Sequence, residues 1–195
     1  QNMKVNFFSE KIKAKKIKGE LQSKLNNILK TGHYTNSKYV KRFEEIFKNV
    51  FQSKYCVAVN NGTSALHLSL IALDIKKDDE IILPSITFIA SAAAITYVGA
   101  KPVFVDINDH DWLLNPNLIE KFITKKTKAI MAVHLHGLMC DMDKLRQIAK
   151  KYNVKLLEDA SQAHGSLFKN KSPGYFSDAA TFSFYPTKNL GAIGE

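Results

Sequence analysis

Three short segments of this sequence combine side chains that could take part in chemistry with residues that would expose them. In the first, NNGTSAL, Gly62 is followed by the hydroxyl side chains of Thr63 and Ser64. Glycine allows a tight turn and a close approach of the backbone to a ligand. If a helix begins here, its free amides and these hydroxyls would bind a phosphate group. The alternative is a simple capped start of a helix.

The second segment, LLEDASQAHG, has Glu158 and Asp159 at the end of an apolar run. A buried carboxylate is costly unless it is paired. The cationic ring nitrogen of a bound cofactor would provide a partner for one of them. Helix capping or an internal ion pair is the structural alternative.

The third segment, TFSFYPTKNLG, carries Lys188 among aromatic residues and glycine. Most lysines are solvated, but a lysine beside a buried site loses its proton more easily and can form a Schiff base. A phosphate site, an acid for a pyridine nitrogen and a Schiff-base lysine are together the parts that pyridoxal phosphate requires. The three segments therefore favour a site for this cofactor.

The elements that must position these segments follow an alternating pattern. Apolar periodicity predicts two helices first, over residues 10–30 and 37–51, with lysine-rich outer faces. Strands are then predicted over 55–59, 80–83, 101–105, 128–133, 154–157 and 179–184, and helices over 63–73, 87–97, 115–125 and 141–152. Alternating strands and helices indicate an α/β fold with a mostly parallel sheet covered on both faces. Such sheets bind ligands at the carboxyl ends of their strands, where the three segments lie.

Composition and charge exclude several classes of protein. The 195 residues are 45% apolar and 24% charged, which is ordinary for a soluble globular chain. We find no apolar run of the ~20 residues that a membrane span needs, and no apolar signal core at the start. Two cysteines, Cys56 and Cys140, then predict free thiols in the cytoplasm.

The formal net charge of +10 could indicate nucleic-acid binding. The lysines are spread along the chain, however, and we find no recognition motif, so we interpret them as solvated helix faces. A weaker attraction for an anionic small substrate is the functional alternative.

Two other kinds of site fit the sequence less well. His134, His136, Cys140 and His164 suggest a metal site, but their spacing is not a standard zinc pattern. Gly191 and Gly194 lack the fingerprint and the strand context of a dinucleotide site.

The chain resembles the DegT/DnrJ/EryC1/StrS sugar aminotransferases, which have the aspartate aminotransferase-like fold. The resemblance runs from about Asn6 to Glu195 and rests on five stretches: NNGTSALHLSLIAL, DEIILPSITFIASAAAITYVGAKPVFVDI, AVHLHGLMCDMDKL, LLEDASQAHGS and FSFYPTKNLGAIGE. It implies the three-layer αβα large domain of a pyridoxal-phosphate-dependent transferase of fold type I over residues 1–195, with a helical segment over 1–54 and the sheet and cofactor site over 55–195. The family continues into a small C-terminal domain, which the resemblance implies is absent from this chain.

The resemblance also implies roles for individual residues. Lys188 would form the Schiff base with the cofactor and move protons, and Asp159 would pair with the pyridine nitrogen. Gln162 would lie near the ring hydroxyl, and Phe88 would stack on the ring face. His164 would either support the site or simply pack.

The phosphate group would be held by four further residues that match the family. These are Gly62, Thr63, Ser64 and Ser183. The resemblance implies no metal ion.

The implied activity is transfer of an amino group, usually from glutamate, to a keto-sugar linked to a nucleotide. Relatives that are dehydratases have histidine at the lysine position, so Lys188 favours transamination. The stretch FYPTKNLG resembles enzymes acting on dTDP-linked 3-keto-6-deoxyhexoses. The family implies a cytoplasmic homodimer that acts in the synthesis of surface polysaccharides or glycosylated metabolites, without nucleic-acid or membrane partners. The alternative is a truncated protein that binds the cofactor without turnover, as a regulator or a relic.

Overall fold

The computed structural model of the chain describes residues 10–35 and 37–193, with side-chain surroundings from residue 15 onward. These residues form two compact units. One contains the residues up to Val50 together with 55–58, and the other contains 51–54 and the residues from Val59 onward. The predicted division at residue 54, within a single cofactor-binding domain, stays a prediction.

The first unit contains two helices, α1 (Glu10–Thr31) and α2 (Lys38–Val50). Helix α1 ends at Thr31, one residue beyond the predicted range, and Gly32 after it has a φ of +68° and donates its amide to the carbonyl of Ile28. The apolar stripes predicted for both helices do not form a core, because α2 has no buried residue and Leu29 of α1 is 58% exposed.

The second unit is built on five strands and four helices. The strands are β1 (Glu80–Pro84), β2 (Lys101–Val105), β3 (Thr127–Val133), β4 (Lys155–Asp159) and β5 (Ala179–Thr181). The helices are α3 (Gly62–Ala72), α4 (Ile89–Tyr97), α5 (Pro116–Ile119) and α6 (Met142–Tyr152). All paired strands are parallel, in the order β2-β1-β3-β4-β5.

Each face of the sheet is covered by a different pair of helices. Because neighbouring residues of a strand point to opposite faces, β4 sends Leu156 to one core and Leu157 to the other. Helices α3 and α4 pack on the face of Leu157, and α5 and α6 pack on the face of Leu156. The predicted three-layer αβα fold with a parallel sheet is therefore confirmed.

Three predicted elements differ in the structure. Residues 55–59 do not form a strand: Tyr55 and Val57 are about three-quarters exposed, and the amide of Ala58 bonds to the carboxylate of Glu44 instead of a neighbouring strand. The predicted helix over 115–125 is the short α5 followed by a 3-10 turn over residues 120–122. The predicted strand over 179–184 ends at Thr181.

The parallel arrangement brings the carboxyl ends of all five strands to one edge of the sheet. The loops after β1, β3, β4 and β5 meet there, as does the start of α3. No helix in the described part of the chain is long and apolar enough to span a membrane.

Candidate active site

A cavity of about 460 Å³ opens at the carboxyl edge of the sheet. The predicted site residues Gly62, Thr63, Phe88, Asp159, Gln162, Ser183 and Lys188 all line it. Ser64 does not line it, and its amide donates to Oδ1 of Asn61 at 2.8 Å as part of the helix cap. Residues that are far apart in sequence are thus brought to one place.

The start of α3 forms one wall of the cavity. Asn61 caps the helix, and the amides of Gly62 and Thr63 belong to the first turn, whose N–H groups have no partner within a helix. A Cβ added to Gly62 would lie 2.8 Å from Cβ of Ser183, closer than such atoms approach in proteins. Glycine at this position therefore lets the chain after β5 pass directly against the helix start.

Asp159, the last residue of β4, lies at the base of the cavity and is 6% exposed. Its Oδ2 accepts a hydrogen bond from the hydroxyl of Ser91 at 2.7 Å, and its Oδ1 accepts the amide of Ser161 at 3.1 Å. The hydroxyls of Ser91 and Thr87 lie 2.8 Å apart. Because Ser91 uses its single hydrogen for Asp159, Thr87 donates to Ser91. Both partners of Asp159 are neutral, and none of the ion pairs formed by described residues involves this carboxylate.

Lys188 reaches the cavity from a tight turn that follows β5. Its amide donates to the carbonyl of Tyr185, and its carbonyl accepts the amide of Gly191. A Cβ at Gly191 would overlap the carbonyl oxygen of Pro186, so the turn closes only with glycine there. Nζ of Lys188 lies 6.0 Å from the ring centroid of Phe88, which leaves the amine and the aromatic face on opposite sides of a narrow space.

Gln162 is oriented by a turn that follows β3. Its Oε1 accepts the amide of His136 at 2.8 Å. Since a backbone amide can only donate, the bound atom of Gln162 must be oxygen, and its NH₂ group is left as a donor. His136 has a φ of +55° and Gly137 a φ of +84°, and Ser166 holds the carbonyl of Gly137 at 2.6 Å.

His134 and Glu158 form a buried pair next to this turn. Both side chains are fully buried, and Nε2 of His134 lies 2.6 Å from Oε2 of Glu158. The amide of Cys140 donates to Nδ1 at 3.3 Å, so the proton shared with Glu158 lies on Nε2. Glu158 also accepts the amide of Gly174 at 2.9 Å.

His164 packs between two aromatic rings, with centroid distances of 5.4 Å to Phe182 and 5.1 Å to Phe184. Neither of its ring nitrogens makes a hydrogen bond of good geometry with the residues that the structure describes. Burial, and then the positive charge of Lys188, lower the pKa of His164. Among the described residues, no group of three or more histidine, cysteine or acidic side chains is arranged to hold a metal ion.

Sequence reasoning missed two polar contacts of this site. Ser91 was hidden in the apolar helix segment FIASAAAI, where a lone serine is the signal that could have been noticed. His134 was weighed only as a metal ligand, and its pairing with Glu158 depends on the register of β3 against β4, which the sequence does not specify.

Comparison with known proteins gives consistent matches. The model of the DegT/DnrJ/EryC1/StrS aminotransferase family matches residues 15–195. The dTDP-3-amino-3,6-dideoxy-alpha-D-galactopyranose transaminase of Aneurinibacillus thermoaerophilus is 48% identical over 165 residues, covering 85% of this chain and 46% of the relative. The GDP-perosamine synthase of Escherichia coli O157:H7 is 46% identical over 152 residues, covering 78% of this chain and 42% of the relative.

A solved structure is similar over the whole chain. The crystal structure of ntda from Bacillus subtilis with bound cofactor PMP gives a TM-score of 0.93 at 34% identity, covering 100% of this chain and 44% of that one. The chain spans less than half the length of these three proteins.

Proposed function

Because the chain belongs to the DegT/DnrJ/EryC1/StrS aminotransferase family, we propose that the protein transfers an amino group from an amino acid to a nucleotide-linked keto-sugar, with pyridoxal phosphate in the cavity. The observation that carries this proposal is the position of Asp159. A buried carboxylate with only neutral partners lies at the base of a cavity that also contains a lysine amine. Lone buried charges are costly, and a protonated pyridine nitrogen would supply the missing cation.

The opposite wall fits the phosphate group of the cofactor. The first-turn amides of Gly62 and Thr63 and the positive end of the α3 dipole would face an anion. Ser183 lines the cavity directly against Gly62, so its hydroxyl lies within the same wall. Ser64 does not line the cavity and its amide caps the helix, so in this proposal it orients the start of α3 and does not contact the phosphate.

The ring would lie between Phe88 and the remaining polar groups. Phe88 offers an aromatic face opposite Lys188, and stacking on a flat heterocycle suits this geometry. The NH₂ group of Gln162, left as a donor by its contact with His136, would face the ring oxygen.

The bound cofactor would supply an electron-withdrawing ring that makes a proton on the substrate carbon easier to remove. Lys188 would hold the cofactor covalently between turnovers. Once released from this link, its Nζ would take up that proton and return it to a neighbouring carbon. Asp159 would keep the ring nitrogen protonated.

For the acceptor we propose a dTDP-linked 3-keto-6-deoxyhexose, and for the donor glutamate. A relative at 48% identity is a transaminase named for a dTDP-linked 3-amino-3,6-dideoxyhexose, which supports this choice. The relative named for GDP-perosamine makes GDP-linked sugars the second class to test. The reaction would take place in the cytoplasm, where thiols such as those of Cys56 and Cys140 stay reduced.

We further propose that the protein acts as a homodimer. Apolar side chains are exposed beside the cavity, with Phe88 65% and Ile89 71% exposed. Exposed apolar patches of this kind are typical of protein interfaces. Light scattering coupled to size exclusion should give twice the chain mass, and a monomer that is fully active would contradict this part of the proposal.

The test of the proposed function is spectroscopic. The intact protein with pyridoxal phosphate should show a visible absorbance band that bleaches when glutamate is added. Addition of the correct keto-sugar, to be found by testing dTDP-linked and GDP-linked keto-sugars in turn, should restore the visible band. A band that does not bleach would favour the alternative of a cofactor-binding protein without turnover, and no band at all would contradict the proposal.

Lys188→Ala should remove the cofactor that borohydride fixes to the parent protein, as seen by mass spectrometry, while the fold is retained. Lys150→Ala, an exposed position on α6, is the matched control and should be labelled like the parent. Labelling that persists in Lys188→Ala would rule out Lys188 as the attachment site.

Asp159→Asn should weaken cofactor binding by about 100-fold, because the ion pair between the carboxylate and the ring nitrogen would be lost from a buried position.

A further inference from the structure

The buried pair formed by His134 and Glu158 is adjacent to the acid of the cavity, because Glu158 precedes Asp159 in β4 and His134 itself lines the cavity. We propose that it is a positioning device, which holds the turn after β3 so that His136 keeps Gln162 with its NH₂ group toward the cofactor. This inference rests on the cofactor site of the proposed function. The family resemblance implies no role for His134 or Glu158.

The pair connects two strand ends through both main chain and side chain. The amide of His134 donates to the carbonyl of Asp159 at 3.0 Å, which extends the β3–β4 pairing by one residue. Its ring binds Glu158, which precedes Asp159 and points to the opposite face of the sheet. Movement of His134 would therefore disturb both sides of the strand that carries the cavity acid.

The turn itself needs external support. His136 adopts a left-handed conformation that is unfavourable for a residue with a side chain, and such residues persist only when their surroundings hold them. The contacts that hold it include the ring of His134 on the amide of Cys140 and Ser166 on the carbonyl of Gly137. The backbone carbonyls of His134 and Leu135 accept the amides of Gly137 and Leu138, and Gln162 accepts the amide of His136. Of these contacts, the one with the amide of Cys140 is made by the side chain of His134.

A role in stability alone does not explain this choice of residues. Well-packed apolar residues generally serve a buried site as well as or better than a buried pair of polar and charged groups does. A hydrogen-bonded pair does provide a fixed orientation, because Nε2, Nδ1, Oε1 and Oε2 each have one partner here. The orientation of the turn is what the pair adds.

Gln162 links the turn to the cavity, because it accepts the amide of His136 and lines the cavity. Its amide group can rotate by half a turn and exchange oxygen for nitrogen at almost no steric cost. The amide of His136 at 2.8 Å forbids the exchanged form, because two donors would then face each other. If the turn shifted, the side-chain amide of Gln162 would be free to rotate and turn its oxygen toward the ring oxygen of the cofactor. The two oxygens would then repel each other, where the NH₂ group would have donated a hydrogen bond.

The experiment compares His134→Leu, His134→Gln and Gln162→Leu in the intact protein with pyridoxal phosphate. Glutamine places an amide donor near the position of Nε2 and should largely rescue the site, whereas leucine should not. The readout is the pH midpoint of the visible absorbance of the bound cofactor. His134→Leu and Gln162→Leu should shift it equally, by about one pH unit, as expected for the loss of a hydrogen bond to a charged group.

The double variant His134→Leu/Gln162→Leu separates positioning from packing. If His134 acts through Gln162, the double variant should shift the midpoint no further than either single change. Additive shifts, or a His134→Leu variant that lowers only the thermal midpoint, would overturn the proposal. His110→Gln, a histidine whose side chain is 79% exposed, should behave like the parent.

His134→Leu leaves Glu158 buried without its partner and can fail to fold. In that case His134→Leu/Glu158→Gln removes the charge and keeps an acceptor for the amide of Gly174, and the same absorbance test applies. A cofactor-free measurement distinguishes this proposal from the proposed function. The NMR signal of the His136 amide in the apo protein should move in His134→Leu and stay near its parent position in His134→Gln. A parent protein that binds no cofactor would refute the proposed function. A His136 signal that does not move in His134→Leu would refute the role of the His134–Glu158 pair in positioning the turn.

Discussion

The hydroxyl of Ser91 lies 2.7 Å from Oδ2 of Asp159, and both side chains are buried. Ser91→Ala should lower the free energy of unfolding by about 1–3 kcal/mol, because a buried carboxylate loses a donor that it cannot replace from water. The same change should weaken cofactor binding, since Asp159 is then less well oriented. Urea denaturation and a cofactor titration measure the two effects.

A second hydroxyl on the same helix provides the control. Thr96 donates to the carbonyl of Ala93 at 2.8 Å from an exposed position. Thr96→Ala should change stability by less than about 0.5 kcal/mol and leave cofactor binding unchanged. Equal effects of the two substitutions would show that the buried hydrogen bond between Ser91 and Asp159 contributes nothing specific to stability or to cofactor binding.

Gly62→Ala should destabilise the protein by about 1–3 kcal/mol, because its Cβ would meet Ser183 at 2.8 Å. Ser183→Gly in the same chain should restore much of this loss by removing the opposing atom. Gly19→Ala in α1, where an added Cβ meets nothing within 4 Å, should instead stabilise by about 0.5–1 kcal/mol. Thermal denaturation of the four proteins, including the parent, is the measurement. A Gly62→Ala protein as stable as the parent would mean that the two segments are not in close contact.

Phe88→Leu should reduce affinity for pyridoxal phosphate by about threefold to tenfold, which corresponds to the stacking contribution of an aromatic pair. Its stability without cofactor should be nearly unchanged, because the ring is 65% exposed. Phe104→Leu, on β2 and outside the cavity, is the control with similar exposure at 49%. Loss of affinity in both variants, or in neither, would contradict the stacking role.

The lowered pKa of His164 predicts a dependence of stability on pH. The unfolded chain binds a proton at the ordinary histidine pKa of about 6.5, whereas the folded protein does so only at lower pH. The unfolded state therefore gains protons first, and stability is lost as the pH falls from about 6.5 through the folded pKa. His164→Phe should remove this part of the loss in urea denaturations between about pH 7.5 and pH 5.5. If the parent and His164→Phe lose stability equally, burial of this ring does not affect its protonation.

The order of strands and helices was predictable because buried parallel strands produce continuous apolar runs, as in residues 128–133, and amphipathic helices produce a period of 3.6. The acid Asp159 could be located for the same reason, because it ends a strongly patterned strand, and Gly62 could be located because it opens an apolar helix. The strand predicted over residues 55–59 was wrong because a short apolar run forms a strand only where a partner strand exists, and here the amide of Ala58 bonds to a side chain.

Contacts that cross the sheet were beyond sequence reasoning. Ser91 meets Asp159 only because α4 packs on the face of the sheet to which Asp159 points. The pairing of His134 with Glu158 likewise requires β3 and β4 to be neighbours in a particular register. A shift of one residue would turn either side chain to the other face, and nothing in the local pattern specifies that register.

The parallel sheet has a consequence for how this protein folds. Each pair of adjacent strands can form only after a crossover of about a dozen or more residues has closed, so almost none of the pairing is local. The chain loses entropy when each crossover closes, before the strand contacts can stabilise the fold. Folding is therefore slow compared with a helical bundle of the same length. Since Gly62, Asp159 and Lys188 are joined only through the finished sheet, we expect the ability to bind a ligand to return late in refolding, together with the last strand rather than with the first helices.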